Sequence, residues 1–305
     1  MIDNFMEQQK NKIIEHWGYD FYRIVHYTLE NLSEKWKLSD LEFFSEYCNG
    51  NAIFFYKSDL HGDCVLKINR DGDESLCEYN ALREYDGGRF VKAYEVDEYG
   101  VVLVERAIPG KTLSDEPSLE KRLAVFSELF NGRHVAPKNP RLFDTYENNL
   151  NYRINCIENK SEDFKELYVH AAKVREFYTK IASVYDRMLL IHLDIGGVNI
   201  VSCGNGQYKM IDPWPAVLGD PVFEIGRFLF VECYNNQKDR AMENTEKALD
   251  YLEKSLNIPN EILRQCLYIE NVLRTCERTQ WCGQWWGSGR VSDRVLFAEK
   301  LMNEN

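Results

Sequence analysis

The stretch "IHLDIGGVNIVSCGNGQYKMIDPWP", residues 191–215, places groups that bind cations at the margins of apolar runs. Two short pieces within it, "VNIVSC" and "YKMID", flank Gly204, Asn205 and Gly206, and that arrangement reads as a tight β-hairpin. Asp194 follows the apolar run "MLLI" and His192; Asn199 opens the first hairpin strand five residues later, and Asp212 ends the second. The hairpin therefore predicts Asn199 and Asp212 close together, facing the loop that carries Asp194. Asp and Asn oxygens are hard ligands suited to magnesium, which keeps waters and phosphate oxygens in its shell. Asp194 is then placed to take, or to orient, the proton of an acceptor hydroxyl.

Upstream, residues 39–106 hold short runs rich in β-branched and aromatic residues: "LEFFSEYC", "NAIFFYKS", "DCVLKIN", "GRFVKAYEV" and "GVVLVERA". Asn-Gly, His-Gly-Asp and Gly-Gly signals separate them. A helical segment, "DESLCEYNALREY", interrupts the series after the third run. Lys67 sits inside the apolar "CVLKI", where an unpaired ammonium is costly to desolvate. Glu78, on the inserted helix, shares a face with Ala81 and Leu82. A carboxylate on a core-facing stripe needs a cation, and Lys67 is the candidate. A strand lysine held by a helix glutamate is a device for presenting an ammonium to nucleotide phosphates.

Residues 4–35 alternate at helical spacing and predict one or two helices, and beyond "IPGKTL" the pattern is helical almost throughout, the hairpin excepted. The expected fold is α+β: a small antiparallel sheet with one inserted helix in residues 1–107, then a larger, mainly helical part in residues 108–305 that carries the hairpin. The turn at Asn49, Gly50 and Asn51 is either a phosphate-covering loop or an ordinary hairpin.

Across its 305 residues the chain carries a net charge of −12, which disfavours a nucleic-acid partner. No run approaches the roughly 20 apolar residues of a membrane span, and the polar N-terminus does not read as a signal peptide. Nine scattered cysteines with no CxxC pair argue against a zinc site and for a reducing cytoplasm. A monomer or weak dimer is expected.

"HLDIGGVN" has the HxDxxxxN form of a kinase catalytic loop, and "MIDPWPAVLGDP" resembles the metal-binding segment of the aminoglycoside phosphotransferase family. "VERAIPGKTL" is similar to a motif typical of the branch with streptomycin 6-kinases and hydroxyurea phosphotransferases. The resemblance runs from about Trp36 to the helix after Asp220, about two-thirds of the chain. It implies a two-lobed protein-kinase-like fold, an ATP or GTP co-substrate, Mg2+, and transfer of the γ-phosphate to a hydroxyl of a streptomycin-type antibiotic, giving resistance. In that family's terms Asp194 is the catalytic base, Asn199 and Asp212 the magnesium ligands, Lys67 the phosphate-binding lysine and Glu78 its partner. His192 becomes a structural member of the loop, and the adenine meets backbone groups of Glu105, Arg106 and Ala107. Leu193 replaces the family's usual glycine, and Glu224 stands for its usual aspartate.

A protein kinase needs an activation segment after the metal aspartate, whereas Asp212 runs through "PWPAVLGD" straight into a helix. A non-catalytic nucleotide-binding module fits less well, because every catalytic position holds the residue type required. The acceptor is expected to be a small cationic or polyhydroxylated molecule; choline, an amino alcohol or a sugar is the alternative. Glu224, Glu270, Glu277, Trp214 and Trp285 are candidates for its wall, since acids and aromatics recognise ammonium or guanidinium groups. Core packing is the competing account of the tryptophans.

Overall fold

The computed structural model describes residues 2–44, 50–69, 72–132, 134–158, 165–235, 240–281 and 290–303. The chain divides into two compact units, Met1–Gly110 and Lys111–Asn305.

In the first unit two helices, α1 (Ile2–Trp17) and α2 (Tyr19–Lys35), precede a five-stranded antiparallel sheet. Its strands are β1 (Leu38–Phe44), β2 (Asn51–Ser58), β3 (Gly62–Asn69), β4 (Ala93–Val96) and β5 (Val102–Glu105), in the order β1-β2-β3-β5-β4. Alternation along the strands decides the packing. Phe54 and Tyr56 of β2, with Cys64, Leu66 and Ile68 of β3, point to one face and share a core with Met6, Ile13, Val25 and Leu29 of α1 and α2. Each fully buried side chain of this size contributes about 1.5–3 kcal/mol. Lys67, offset by one residue, emerges on the opposite face.

That face meets α3 (Gly72–Tyr85), the helix inserted between β3 and β4. Its buried positions Ser75, Glu78, Ala81, Leu82 and Tyr85 follow the i, i+3, i+4 spacing of a single stripe. Glu78 is therefore carried inward by the same periodicity that buries its apolar neighbours.

The second unit begins with α4 (Leu119–Phe130), which Ser118 caps by accepting a bond from the Lys121 N–H. There follow β6 (Asp144–Thr145), α5 (Tyr146–Asn155), α6 (Lys165–Ala182) and β7 (Leu189–His192). The hairpin is β8 (Ile200–Ser202) and β9 (Tyr208–Met210), with Ile200 opposite Met210. Then come β10 (Ala216–Gly219), α7 (Val222–Leu229), α8 (Ala241–Leu256), α9 (Asn260–Trp281) and α10 (Arg290–Asn303).

Two features of this unit differ from the sequence reading. "MLLI" and "AVLG" become strands of a second sheet, β6-β10-β7, in which Ala216 pairs with His192; at four residues each they are too short for a periodic signal. The run "VFEIGRFLFVECY" falls in the part whose pattern is helical almost throughout, yet from Phe230 to Asn235 it widens to π geometry. Such a widening re-aims side chains within a continuing helix and recurs at functional sites.

α7 crosses α9 at Gly226, where a Cβ would lie 2.2 Å from the Cys266 carbonyl oxygen. Backbone cannot yield there as a side-chain tip would. Gly226→Ala is expected to lose about 1–3 kcal/mol by overpacking, read as a lower urea midpoint with unchanged slope.

Candidate active site

Lys67 and Glu78 form a buried ion pair: Nζ lies 2.5 Å from Glu78 Oε2, and the two residues are 7% and 4% exposed. Removing either partner would take a close counter-charge from a buried ion, and the pair restrains the direction of the ammonium.

The loop after β7 is held from several sides. The backbone N–H of His192 donates to Glu224 Oε1 at 2.7 Å, and the N–H of Asp194 donates to His192 Nδ1 at 3.3 Å. The Leu193 N–H donates to Pro215 O at 3.0 Å, and the Leu193 side chain is buried. The departure from glycine is thus absorbed by the core. At the following 3-10 turn, Gly197 donates its N–H to Glu232 Oε1 at 2.9 Å, and Arg122 Nε stands 2.7 Å from Glu232 Oε2. A Cβ on Gly197 would meet Ser114 Oγ at 2.7 Å and Glu232 Oε1 at 2.9 Å, so only glycine fits. Glu232 comes from the π segment. Burial raises the pKa of its carboxyl, with the Gly197 N–H and Arg122 opposing that shift.

Asn199 donates its side-chain N–H to the Asp194 carbonyl at 2.8 Å, which leaves the amide oxygen as its outward donor atom. Its own carbonyl accepts from the Ile211 N–H at 2.9 Å, so the hairpin sets Asn199 beside the residue that precedes Asp212. Asp212 itself adopts a left-handed backbone conformation, φ 56°. That conformation costs a non-glycine residue about 1–2 kcal/mol, least for Asp and Asn, and strain of this kind gathers at functional sites. An amide oxygen and a carboxylate carried on adjacent backbones are hard-oxygen ligands of the type that magnesium takes.

Asp194 holds what the sequence reading missed. Its Oδ1 lies 2.5 Å from Arg227 Nη2 on α7 and 3.1 Å from Arg274 Nη2 on α9. Both arginines also lean on Glu270, with Arg274 Nε at 2.9 Å and Arg227 Nη1 at 3.8 Å, while Arg153 Nη1 holds the other Glu270 oxygen at 2.9 Å. Burial alone would push the Glu270 carboxyl up, but Arg153, Arg274 and Arg227 outweigh it and hold the acid at about 2. A signal was present: a lone arginine in the apolar "EIGRFLF" poses the same desolvation problem as Lys67 in "CVLKI".

Two expected acceptor-wall residues, Glu270 and Glu224, are buried in the second unit, and a third, Glu277, joins the ion network. Glu270, 5% exposed, is the keystone of an internal ion network. Glu277 engages Arg274 Nη1 at 3.3 Å and Arg153 Nε at 3.7 Å. Glu224 is fully buried under the His192 strand, with His134 Nε2 at 3.4 Å, and acts as a brace. Trp214 is 40% exposed, directly after the hairpin, and so is not a core residue. Trp285 lies outside the described residues. In the first unit the N–H groups of Glu105 and Arg106 are committed to Lys92 O at 2.8 Å and Asp63 O at 3.1 Å, so the expected base contacts contract to carbonyls and Ala107. Asn51 opens β2, opposite Asn69, directly after Gly50, and Asn49 lies outside the described residues.

Within the second unit a cavity of about 540 Å3 opens at Asp194, lined also by Ser114, Glu116, Arg122, Arg227 and Glu232. Among the described residues no helix is long and apolar enough to cross a membrane.

A stability consequence follows from the ion network. Glu270→Ala leaves three guanidiniums facing one another and is expected to cost about 3–5 kcal/mol. Because the folded pKa is depressed, the stabilisation from Glu270 is complete above the ordinary value of 4.5 and is lost as pH falls towards about 2. Denaturant titrations at pH 7 and pH 3 should show the wild-type advantage over the variant shrinking at the lower pH.

No family model matches the sequence, and no curated protein matches it. Solved structures do match. Choline kinase LicA from Streptococcus pneumoniae superposes with a TM-score of 0.62 at 14% identity, over 93% of this chain and 100% of that one. Aminoglycoside phosphotransferase APH(4)-Ia, in a ternary complex with AMP-PNP and hygromycin B, gives 0.62 at 18% identity over 91% and 99%. Amicoumacin kinase hAmiN, bound to AMP-PNP, Ca2+ and Ami, gives 0.61 at 13% identity over 90% and 93%. At these identities the likeness establishes the fold, and the fold is kinase-like, with an antiparallel sheet in the first unit and a mainly helical second unit.

Proposed function

We propose that the protein is a small-molecule kinase that transfers the γ-phosphate of ATP or GTP to an acceptor hydroxyl. The observation that carries this reading is Asp194, held by a rigid loop at the mouth of a cavity while the β8–β9 hairpin sets Asn199 and Asp212 alongside. Lys67, fixed by Glu78, is the phosphate-binding cation. Asn199 and Asp212 would hold Mg2+, which when bound neutralises triphosphate charge. Asp194 orients the acceptor hydroxyl and receives its proton, while His192, Glu224 and Glu232 keep the loop in place. Ala107 and the carbonyls of Glu105 and Arg106 face the base. Positioning and fixed charge supply most of the rate in such chemistry. An enzyme of this kind works where nucleoside triphosphate is abundant, in the cytoplasm.

For the acceptor we propose an aminoglycoside-like molecule whose phosphorylation gives resistance. The motif resemblance and the ligands of the APH(4)-Ia and hAmiN structures support that class, and Ser114, Glu116 and Trp214 are suited to hydroxyls and an amine. A less cationic metabolite, such as a sugar, is the second reading, because Arg122 and Arg227 stand beside Glu116, Asp194 and Glu232 in the same cavity and give it mixed charge.

Magnesium- and ATP-dependent transfer should be measured against streptomycin, hygromycin B, other aminoglycosides, hydroxyurea, choline and simple sugars. Transfer to aminoglycosides supports the first reading, and transfer to sugars alone supports the second. If no nucleotide binds in the presence of magnesium, the kinase reading fails.

A further inference from the structure

Two guanidiniums converge on one oxygen of Asp194, an expensive arrangement to maintain. Burial lowers the pKa of Arg227, and the like charge of Arg274 lowers it further. Apolar side chains at these helix positions would pack without that conflict, and replacement of buried ion networks by hydrophobic residues is often neutral or stabilising. The geometry is nonetheless specific. Arg227 Nη2 and Arg274 Nη2 both reach Oδ1, at 2.5 and 3.1 Å, whereas Asn199 Nδ2 approaches Oδ2 only to 3.4 Å, beyond a good hydrogen bond. Arg227 comes from α7 and Arg274 from α9, and Glu270 is packed beneath both, so the clamp is assembled from two rigid helices.

We infer that Arg227 and Arg274, seated on Glu270, are positioning residues that fix Asp194 through Oδ1 and so present Oδ2 to the acceptor hydroxyl. The inference rests on the proposed role of Asp194 as the acceptor-facing acid. An isolated aspartate on a loop can rotate about two side-chain torsions; with Oδ1 pinned by two charge-assisted bonds, the other oxygen has one direction. A misplacement of about 1 Å in such a group costs about 100-fold in rate.

Arg274, 24% exposed at its side chain, is the residue to alter, because its loss disturbs the core least. The assay is ATP hydrolysis with magnesium and water as acceptor, in which the β–γ bridging P–O bond breaks, a new P–O bond forms to the water oxygen and the water proton passes to Asp194. Arg274→Ala is expected to lower kcat by about 10- to 100-fold with KM for ATP unchanged, and millimolar guanidinium ion is expected to restore part of the loss. Arg274→Lys should lie between the two, and Arg227→Lys, in a more buried position, should reproduce the kcat loss without a change in KM. Full kcat in Arg274→Ala, or a loss that tracks only a lowered melting temperature and that guanidinium does not relieve, would overturn the inference. Asp194→Ala is assayed in parallel. If it turns over like wild type, or if wild type does not hydrolyse ATP, the reading of Asp194 has failed and the clamp falls with it. An inactive Asp194→Ala beside a fully active Arg274→Ala removes the clamp alone.

Discussion

Asp194→Ala is expected to reduce phosphoryl transfer by about 10²- to 10⁴-fold, the usual range for a positioned general base, while magnesium-ATP still binds. The reasons lie in which contacts the substitution removes. Lys67 and Glu78 make their 2.5 Å pair within the first unit, and the Asn199 amide bonds the backbone carbonyl of residue 194, which alanine retains. In the proposed reading the change therefore leaves the nucleotide-binding groups in place and deletes the carboxylate that would meet the acceptor. It also uncovers Arg227 and Arg274, so some stability should be lost. Asp194→Asn keeps the shape and accepting oxygen, and separates the two effects: stability near wild type with transfer still lost identifies the charge as the missing element. Binding is read by the nucleotide-induced rise in melting temperature, and transfer by ADP release. An Asp194→Ala enzyme with full turnover would end the proposed mechanism.

Where a residue's surroundings are supplied by its own segment, the sequence announced them. Lys67 in an apolar strand and Glu78 on a buried helical stripe each posed a local desolvation problem, and the structure joins the two as their answer. The hairpin was legible because Gly204, Asn205 and Gly206 admit the positive backbone angles a tight turn needs, and Gly204, Asn205 and Gly206 have φ of 87°, 53° and 74°. The second sheet was not legible, because a four-residue strand such as Ala216–Gly219 owes its state to a partner distant in sequence. The same holds for the acids on α9. Glu270 and Glu277 looked like a surface for cations because aromatic residues such as Trp285 follow them in sequence, yet what decides their role is Arg153 on α5 and, for Glu270, Arg227 on α7. Spacing along one helix shows that a carboxylate needs a cation; which element brings that cation is a property of the packing. Leu193 and Glu224 make the same point about the resemblance: both depart from the family's pattern, and the core around them accommodates each.

Asp212→Ala is the substitution expected to separate metal binding from acceptor chemistry. In the proposed reading Asp212 supplies the charged member of the metal pair, so its loss should weaken magnesium-ATP binding as well as abolish transfer, in contrast to Asp194→Ala. At about 100 times the dissociation constant, bound ligand stabilises the folded state by about 2.7 kcal/mol, and most of that increment should vanish in the variant. Backbone conformation complicates a direct comparison. Residue 212 sits at φ 56°, which aspartate and asparagine tolerate better than alanine, so Asp212→Ala also carries about 1 kcal/mol of added strain. Asp212→Asn keeps the tolerated conformation and removes the charge, while Asp212→Gly relieves the strain and removes the whole donor. If binding falls in all three variants, the carboxylate is the cause; if the glycine variant binds magnesium-ATP as wild type does, the metal assignment of Asp212 is wrong. The left-handed conformation then needs another account, and the strain at the hairpin's end would reflect only the turn into Trp214, whose N–H closes on the Asp212 carbonyl at 2.7 Å. That contact is made by backbone alone and is available to any residue at 212, which is why an aspartate held there at a conformational cost points to the side chain.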